Sequence, residues 1–226
     1  KVKANETISV WSYSLNGAAN VSFTPNTTIS AAAGSNTLYV YANDSARNTG
    51  TASVSFTVDT AVPASLTFVS PTDADAASVS RNWYYVNLTF NDTNPDACIL
   101  EVSNSNISMT RSGSICSINR TSQSDATYTY KVYVNDTVGN TAASSSRTIT
   151  LDNVAPSFTL ASPTATTYDT ASIDLKVNTA ETISTWQYSL NGGANTSFTP
   201  NTTISASPGS NTIYVYAIDA ANNIGR

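Results

Sequence analysis

One segment occurs twice in this chain, 175 positions apart. Residues 1–50 align without a gap with residues 176–225, and 36 of the 50 positions are identical. A shared fold alone does not demand identity that high, so it indicates recent duplication or selection for a uniform array. An internal repeat decides the architecture before any single residue does, and this repeat is therefore the strongest constraint on the fold.

A shorter repeat marks two domain junctions. Residues 58–72 (VDTAVPASLTFVSPT) resemble residues 151–164 (LDNVAPSFTLASPT), and each segment contains an Asp, a short turn closed by Pro and a new strand. We predict a partial domain over 1–60 that lacks its N-terminal strands, a complete domain over 61–153, and a near-copy of the first over 154–226 that lacks its last strand. We expect both ends to be cuts through a longer array of alternating domains.

The hydrophobic pattern predicts an all-β fold. Short runs alternate apolar and polar residues with period two, and Asn-Gly, Pro and Ser/Thr clusters separate them. The run YVNLTF places Val86, Leu88 and Phe90 on one face. The Asn-Gly pairs that follow WSYSL and WQYSL predict tight turns with positive φ angles. Several short strands at this spacing indicate β-sandwiches.

Composition argues against several classes of function. Charged residues make up 11% of the chain, histidine is absent and the net charge is −5, so no basic stripe exists to bind nucleic acid. No apolar run approaches the ~18–20 residues of a membrane span. The sequence shows no acid–base histidine, redox cysteine pair, phosphate loop or nucleophile elbow, and we therefore expect neither an enzyme nor an organic cofactor.

Residues 128–141 (YTYKVYVNDTVGNT) resemble the last hairpin of immunoglobulin-like repeats in prokaryotic surface proteins and adhesins. The endings FTVDTAVP and ITLDNVAP fit the same pattern, and the stretches YVNLTFNDTNPDACILEVS and SICSINRTS resemble Asn/Thr-rich modules of archaeal cell-surface proteins. The resemblance implies tandem immunoglobulin-like β-sandwiches in an extended extracellular array. In the outer domains, Asn48 and Asn223 precede Gly50 and Gly225 by two positions, so we expect a differently built turn there.

Cys98 and Cys116 are the two cysteines, and both lie in apolar-alternating runs of the middle domain. A disulfide between them would close a loop of 17 intervening residues and stabilise the fold by about 3 kcal/mol in the chain-entropy model. The alternative is a pair of buried free thiols. The extracellular character of the sequence favours the disulfide, and a zinc site does not fit two cysteines without histidine.

Asn-x-Ser/Thr sequons indicate N-linked glycosylation on an extracellular protein. The eleven acceptor positions are Asn5, Asn20, Asn26, Asn43, Asn87, Asn91, Asn106, Asn119, Asn135, Asn195 and Asn201. Chance yields roughly 7 in a chain this rich in Asn, Ser and Thr, so the excess is small. We predict glycans at several of these positions, because two pairs recur in both copies of the repeat and bulky glycans would hydrate a nearly uncharged surface.

Acidic residues lie near both junctions. Those expected to meet are Asp59, Asp92, Asp96 and Asp136 at the first junction, and Asp152, Glu181 and Asp219 at the second. Clustered carboxylates repel unless a cation joins them, and Ca²⁺ takes 6–8 oxygen ligands. The resemblance implies calcium at such linkers, where it stiffens the rod in related adhesins. The alternative is turn chemistry, in which Asp and Asn side chains cap their own backbone.

The aromatic residues divide between core and surface. We expect Trp11, Trp83 and Trp186 to pack in cores or on sheets, and Tyr39, Tyr41, Tyr214 and Tyr216 to lie on an outer sheet face. There the tyrosines could contact sugars or neighbouring chains, or could cover the sheet as amphipathic side chains do.

Two functions fit these features. The first is structural: a glycosylated extracellular rod, either a surface stalk or a filament that assembles from copies of itself. If the ends are natural, one copy could donate a strand to the next. The second is an adhesin that binds carbohydrate or a partner cell. The loops NGAAN and NGGAN are nearly unchanged between the copies, which disfavours a specialised binding tip.

Overall fold

The computed structural model describes residues 1–226 as an all-β protein, which confirms the predicted fold class. The chain divides into two compact units. The first comprises residues 1–62 with the short segment 138–140, and the second comprises residues 63–137 and 141–226. The structure contains no helix that could span a membrane. The extended array and the domain boundaries at 60/61 and 153/154 stay predictions.

The first unit contains one four-stranded antiparallel sheet, which we call the N-terminal sheet. Its strands are β1 (Val10–Leu15), β2 (Val21–Ser22), β3 (Gly34–Asn43) and β4 (Thr49–Val58), in the order β2-β1-β3-β4. The predicted Asn-Gly turn follows β1, with φ of 55° at Asn16 and 76° at Gly17. Because both residues have positive φ, this turn matches the twist of the strands that flank it.

The second unit begins with two sheets that form a sandwich. One sheet, ordered β10-β11-β7-β5, contains β5 (Ala64–Phe68), β7 (Tyr84–Asn91), β10 (Thr110–Ser112) and β11 (Ile115–Arg120). The other, ordered β6-β14-β12-β8-β9, contains β6 (Ala77–Val79), β8 (Pro95–Val102), β9 (Ser105–Ser108), β12 (Ala126–Asp136) and β14 (Arg147–Leu151), with β13 (Thr141–Ala143) paired to β12. We call this part the disulfide-bonded sandwich.

The core of this sandwich lies between the two sheets. Val86, Leu88 and Phe90 of β7 are at most 2% exposed, as their alternation predicted, and they face Leu100 of β8 and Val132 of β12 in one hydrophobic cluster. In the immunoglobulin arrangement, strands A, B, E and D form one sheet and strands C, F and G the other. β5, β7, β11 and β10 take the first set of positions, and β8, β12 and β14 take the second. The strand order is therefore immunoglobulin-like.

The predicted disulfide between Cys98 and Cys116 is present, with a Cα–Cα distance of 6.1 Å. Cys98 lies on β8 and Cys116 on β11, so the bond joins the two sheets across the core. Both residues are buried. The free-thiol alternative is therefore wrong.

The second unit ends with another pair of sheets, which we call the C-terminal sandwich. One sheet, ordered β15-β16-β19, contains β15 (Thr159–Ser162), β16 (Ser172–Asn178) and β19 (Thr202–Ser205). The other, ordered β18-β17-β20-β21, contains β17 (Thr185–Leu190), β18 (Thr196–Phe198), β20 (Ile213–Ile218) and β21 (Ile224–Gly225). A second hydrophobic cluster lies between them and includes Leu175, Trp186 and Val215.

The aromatic residues follow the predictions in part. Trp186 is buried and packs edge-on against Phe158 at a centroid distance of 5.1 Å. Tyr214 is 39% exposed on the opposite face of its strand from the buried Val215, as predicted. Trp83 is 37% exposed and takes the second of the two predicted places, on a sheet, where its ring lies 5.6 Å from that of Tyr85 on β7. The side chain of Arg81 covers its ring, with the guanidinium carbon 4.3 Å from the centroid.

Candidate functional site: the turns that hold the linkers

A tight turn after β20 is organised by a buried carboxylate. Asp219 is 6% exposed, and its Oδ1 accepts hydrogen bonds from the backbone N–H groups of Ala221 (2.8 Å) and Asn223 (2.9 Å). Its Oδ2 accepts a hydrogen bond from Nδ2 of Asn223 at 2.8 Å. Charge-assisted bonds of this kind are among the stronger hydrogen bonds in proteins. Asp219 therefore fixes both the turn and the direction of the Asn223 side chain.

Asn223 also holds the segment that enters the C-terminal sandwich. We call residues 152–156 the second linker. Nδ2 of Asn223 donates a hydrogen bond to the backbone carbonyl of Asp152 at 2.8 Å. An amide group carries two N–H donors, so Asn223 can bond Asp219 and Asp152 at the same time. One side chain thus ties the linker to a turn that lies 71 residues further along the chain.

The linker packs closely on this turn. Pro156 is buried, and so is Ala221, at 2% exposed. A Cβ atom added at Gly225 would overlap the backbone carbonyl of Pro156. Position 225 therefore requires glycine because another part of the backbone occupies the space that a side chain would fill.

The same turn occurs three times, each time with Asn four positions after Asp. In the first unit, Asn48 donates from its backbone N (2.9 Å) and from Nδ2 (2.7 Å) to the carboxylate of Asp44. The residue before the Asn has positive φ in every case: Arg47 (68°), Gly139 (97°) and Asn222 (68°). The expectation of a differently built turn in the outer copies is therefore wrong. The feature that the three turns share is the spacing from Asp to Asn. The residue before the Asn has positive φ in each turn, and it can be glycine, arginine or asparagine.

A second Asn-to-linker bond lies in the first unit. Asn140, which stands four positions after Asp136, donates from Nδ2 to the backbone carbonyl of Asp59 at 3.3 Å. Asp59 also caps its own turn, because its Oδ1 accepts a hydrogen bond from the backbone N of Ala61 at 2.9 Å. Asp152 does the same for the backbone N of Val154 at 3.1 Å. We call residues 59–63 the first linker, and its Asp59 is thus held in the same way as Asp152 of the second linker.

Further side chains anchor the second linker at its two ends. The carboxylate of Asp125 accepts hydrogen bonds from the backbone N (2.9 Å) and Nδ2 (2.7 Å) of Asn153. The carboxylate of Glu181 accepts one from the backbone N of Ser157, just beyond the linker, at 2.5 Å. The hydrogen bonds from Asn153, of which the side-chain bond is the larger cause, hold the pKa of the Asp125 carboxyl below its ordinary value.

The Asn153→Ala variant tests this anchor. Without the amide donor, we expect the pKa of Asp125 to rise towards its ordinary value, measured by NMR titration of the side-chain carboxyl. A lowered pKa stabilises the folded state above the ordinary pKa, and that contribution is lost as the pH falls through the folded value. The anchor should therefore weaken only in acid. Asp44, whose pKa is lowered chiefly by the side-chain bond from Asn48, is the internal control and should not change. An unchanged Asp125 titration would contradict the assignment.

The acidic residues predicted to bind calcium take part in turns and loops. Besides the bonds already described, Oδ1 of Asp92 accepts a hydrogen bond from the backbone N of Asn94 at 2.9 Å, and Oδ2 of Asp96 accepts one from Nδ2 of Asn135 at 3.2 Å. Asp136 is buried, at 1% exposed. No three acidic, histidine or cysteine side chains form a group that could hold a metal ion. Calcium binding stays a prediction, which calorimetric titration of the chelator-treated protein with Ca²⁺ would test.

The sequons differ in exposure. The exposed acceptors are Asn5, Asn20, Asn26, Asn91, Asn106, Asn119, Asn195 and Asn201, and those half-buried on strands are Asn43, Asn87 and Asn135. Because a glycan needs an acceptor nitrogen that an enzyme can reach, the exposed group is better placed for modification. Glycosylation itself stays a prediction.

Sequence reasoning did not identify Asn140, Asn153, Asn223 or Asp125 as junction residues. A signal for two of them was nevertheless present, since NDSARN, NDTVGN and IDAANN all place Asn four positions after Asp. The pairing of Asp125 with Asn153 has no comparable signal, because the two residues are 28 positions apart and lie in unrelated local patterns.

No protein-family model matches the chain, and no curated protein matches it. Among solved structures, the chain is similar to the fibronectin(III)-like modules of Clostridium thermocellum CbhA, with 14% identity and a TM-score of 0.44 over 72% of this chain and 90% of that one. It is also similar to a 1.5-MDa bacterial ice-binding adhesin, with 15% identity and a TM-score of 0.43 over 97% of this chain and 84% of that one. Likenesses this distant assign the chain to neither family.

Proposed function

We propose that the chain is a structural part of an extracellular surface protein, namely a glycosylated repeat rod that serves as a stalk or as a self-assembling filament. The observation that carries the proposal is the Asn-to-linker hydrogen bond, which occurs at Asp59 and again at Asp152. A protein that binds or converts a ligand in a cleft does not require the same hydrogen bond at each linker. A rod does need this, because linker geometry sets the angle between successive domains.

The chemistry of the chain agrees with a non-catalytic extracellular role. The disulfide between Cys98 and Cys116 suits an oxidising compartment. The carboxylates that the structure buries most deeply belong to the Asp-to-Asn turns: Asp136 is the last residue of β12, and Asp219 directly follows β20. The surface is rich in Ser, Thr and Asn and carries few charges, which suits a hydrated stalk with N-linked glycans.

Small-angle X-ray scattering tests the rod. A compact globule of 226 residues has a radius of gyration of about 17 Å, and we expect a value well above this for the native chain. In the Asn223→Ala variant the linker loses its hydrogen bond to the turn, so the scattering should show a broader range of shapes. Asn195→Ala, at an exposed position of the same sandwich, is the matched control. A radius near that of a globule in the native chain would overturn the proposal.

Electron microscopy separates the two kinds of rod. A stalk should remain as single particles when the protein is concentrated, whereas a filament protein should grow end to end. Filament growth that persists in Asn223→Ala, which lacks the bond to the second linker, would show that assembly does not depend on this junction.

Carbohydrate binding is a second candidate, because the C-terminal sandwich has a groove of about 1160 Å³. Segments 163–171 and 206–213 line it with hydroxyl and amide groups, together with Tyr168, which is 39% exposed. Neutral polar groups beside an aromatic ring suit a sugar. A glycan array with the native chain and with Tyr168→Ala tests this function. Binding that the variant loses would support it, and an array without hits would exclude the glycans tested.

A further inference from the structure

Gly50 and Gly225 occupy equivalent places after the Asp-to-Asn turn, but their surroundings differ. Gly225 must be glycine because the carbonyl of Pro156 lies where a Cβ would be. At Gly50 the nearest atom to an added Cβ is the carbonyl oxygen of Ala42, at an ordinary contact distance of 3.9 Å, and φ at Gly50 is not positive. Nothing in the first unit therefore requires glycine at position 50.

The residues of the Asp219–Gly225 turn that hold the second linker have counterparts in the first unit. Asp44 corresponds to Asp219, Ala46 to Ala221 and Asn48 to Asn223. Asn48 is already oriented by Asp44 through the two bonds described above. One of its two amide hydrogens makes the bond to Oδ2 of Asp44, which leaves the second for an incoming carbonyl, as in Asn223. The turn from Asp44 to Gly50 thus has the same Asp, Ala, Asn and Gly as the turn that binds the second linker.

We propose that the Asp44–Gly50 turn is a docking surface for the linker of a further domain joined ahead of Lys1. The occupant would present the carbonyl of an Asp to Asn48 and the carbonyl of a Pro, four residues later, to Gly50. The inference rests on the proposed function, since it adds a domain to the rod.

The position of the occupant follows from the two linkers that are already bound. Asp152 precedes its Asn partner by 71 residues, and Asp59 precedes its partner by 81 residues. A linker at either distance before Asn48 lies ahead of Lys1. The linkers within this chain are already held by Asn140 and Asn223, so neither of them is the occupant.

An extended protein tests the docking surface. Residues 61–175 are fused ahead of Lys1, which restores the order found at Lys176 because Lys1 aligns with Lys176. Gly50→Ala should leave the melting temperature of the 226-residue chain unchanged within about 1 °C, since the added methyl group meets only an ordinary contact. In the extended protein the same variant should lower the melting temperature of the rebuilt domain by about 5 °C or more, because the methyl group overlaps a backbone carbonyl.

Matched variants and a second measurement keep the test decisive. Gly225→Ala should destabilise both proteins, and Thr51→Ala, the exposed neighbour of Gly50, should affect neither. Hydrogen exchange at residues 44–50 should slow in the extended protein relative to the 226-residue chain. If Gly50→Ala is equally harmless in both proteins, or if exchange at the turn does not slow, the inference is overturned. Either failure leaves the scattering test of the rod unaffected, so the two proposals fail separately.

Discussion

The Asp219→Ala variant is expected to lower the free energy of unfolding of the C-terminal sandwich by about 3 kcal/mol. The reason is that three N–H donors, two from the backbone and one from Asn223, lose their common acceptor in a place that water reaches poorly. The bond from Asn223 to the linker should weaken as well, because nothing then orients the amide. Native-state hydrogen exchange measures the local free energy, which suits a chain of several units better than one melting curve.

Two further substitutions distinguish the loss of the turn's hydrogen bonds from the loss of one negative charge. Asp219→Asn keeps one oxygen acceptor but places an amide NH₂ against Nδ2 of Asn223, so its loss of stability should be intermediate. Asp174→Ala removes a half-exposed carboxylate whose partner is Lys176, and surface ion pairs contribute about 0–1 kcal/mol. If the Asp174 and Asp219 variants cost the same, the turn has no special role.

Removal of the disulfide is expected to have an effect of similar or larger size. In the double variant Cys98→Ala, Cys116→Ala, the disulfide-bonded sandwich should lose about 2–5 kcal/mol of unfolding free energy. The bond closes a short loop in the unfolded chain, and its sulfur atoms fill space between the two sheets in the folded one. Native-state hydrogen exchange at the strands of the disulfide-bonded sandwich measures the change.

The reduced wild-type protein is the control for the lost side-chain volume. Reduction breaks the bond but keeps both sulfur atoms, so its effect should be smaller than that of the double alanine variant. Hydrogen exchange in the C-terminal sandwich should remain unchanged in both, because that sandwich has its own core. An oxidised wild-type protein no more stable than the double variant would contradict the structural role of the bond.

Much of the fold was predictable because it depends on neighbours in the chain. The alternation at Val86, Leu88 and Phe90 needs only the period of a strand, and the turn at Asn16 and Gly17 needs only their tolerance of positive φ. The disulfide was favoured over free thiols because the sequence has an extracellular character, and two cysteines allow only one pairing within the chain. The expectation for the outer turns failed, because those turns were compared by the position of glycine and not by the spacing from Asp to Asn. For Trp83 the sequence left both a core and a sheet surface open, and the structure places its ring beside Tyr85 and Arg81.

The sequence by itself determined that the chain repeats, that it is all-β and where its Asn-Gly turns lie, and it favoured a disulfide between its two cysteines. These properties depend on residue identity and on the local alternation of apolar and polar residues, and neither of these requires the tertiary structure. Only the tertiary structure decided that Asn223 holds the carbonyl of Asp152 and that Gly225 makes room for Pro156. A backbone carbonyl has no side chain to mark it in the sequence, and its partner 71 residues away is chosen by how strands pack.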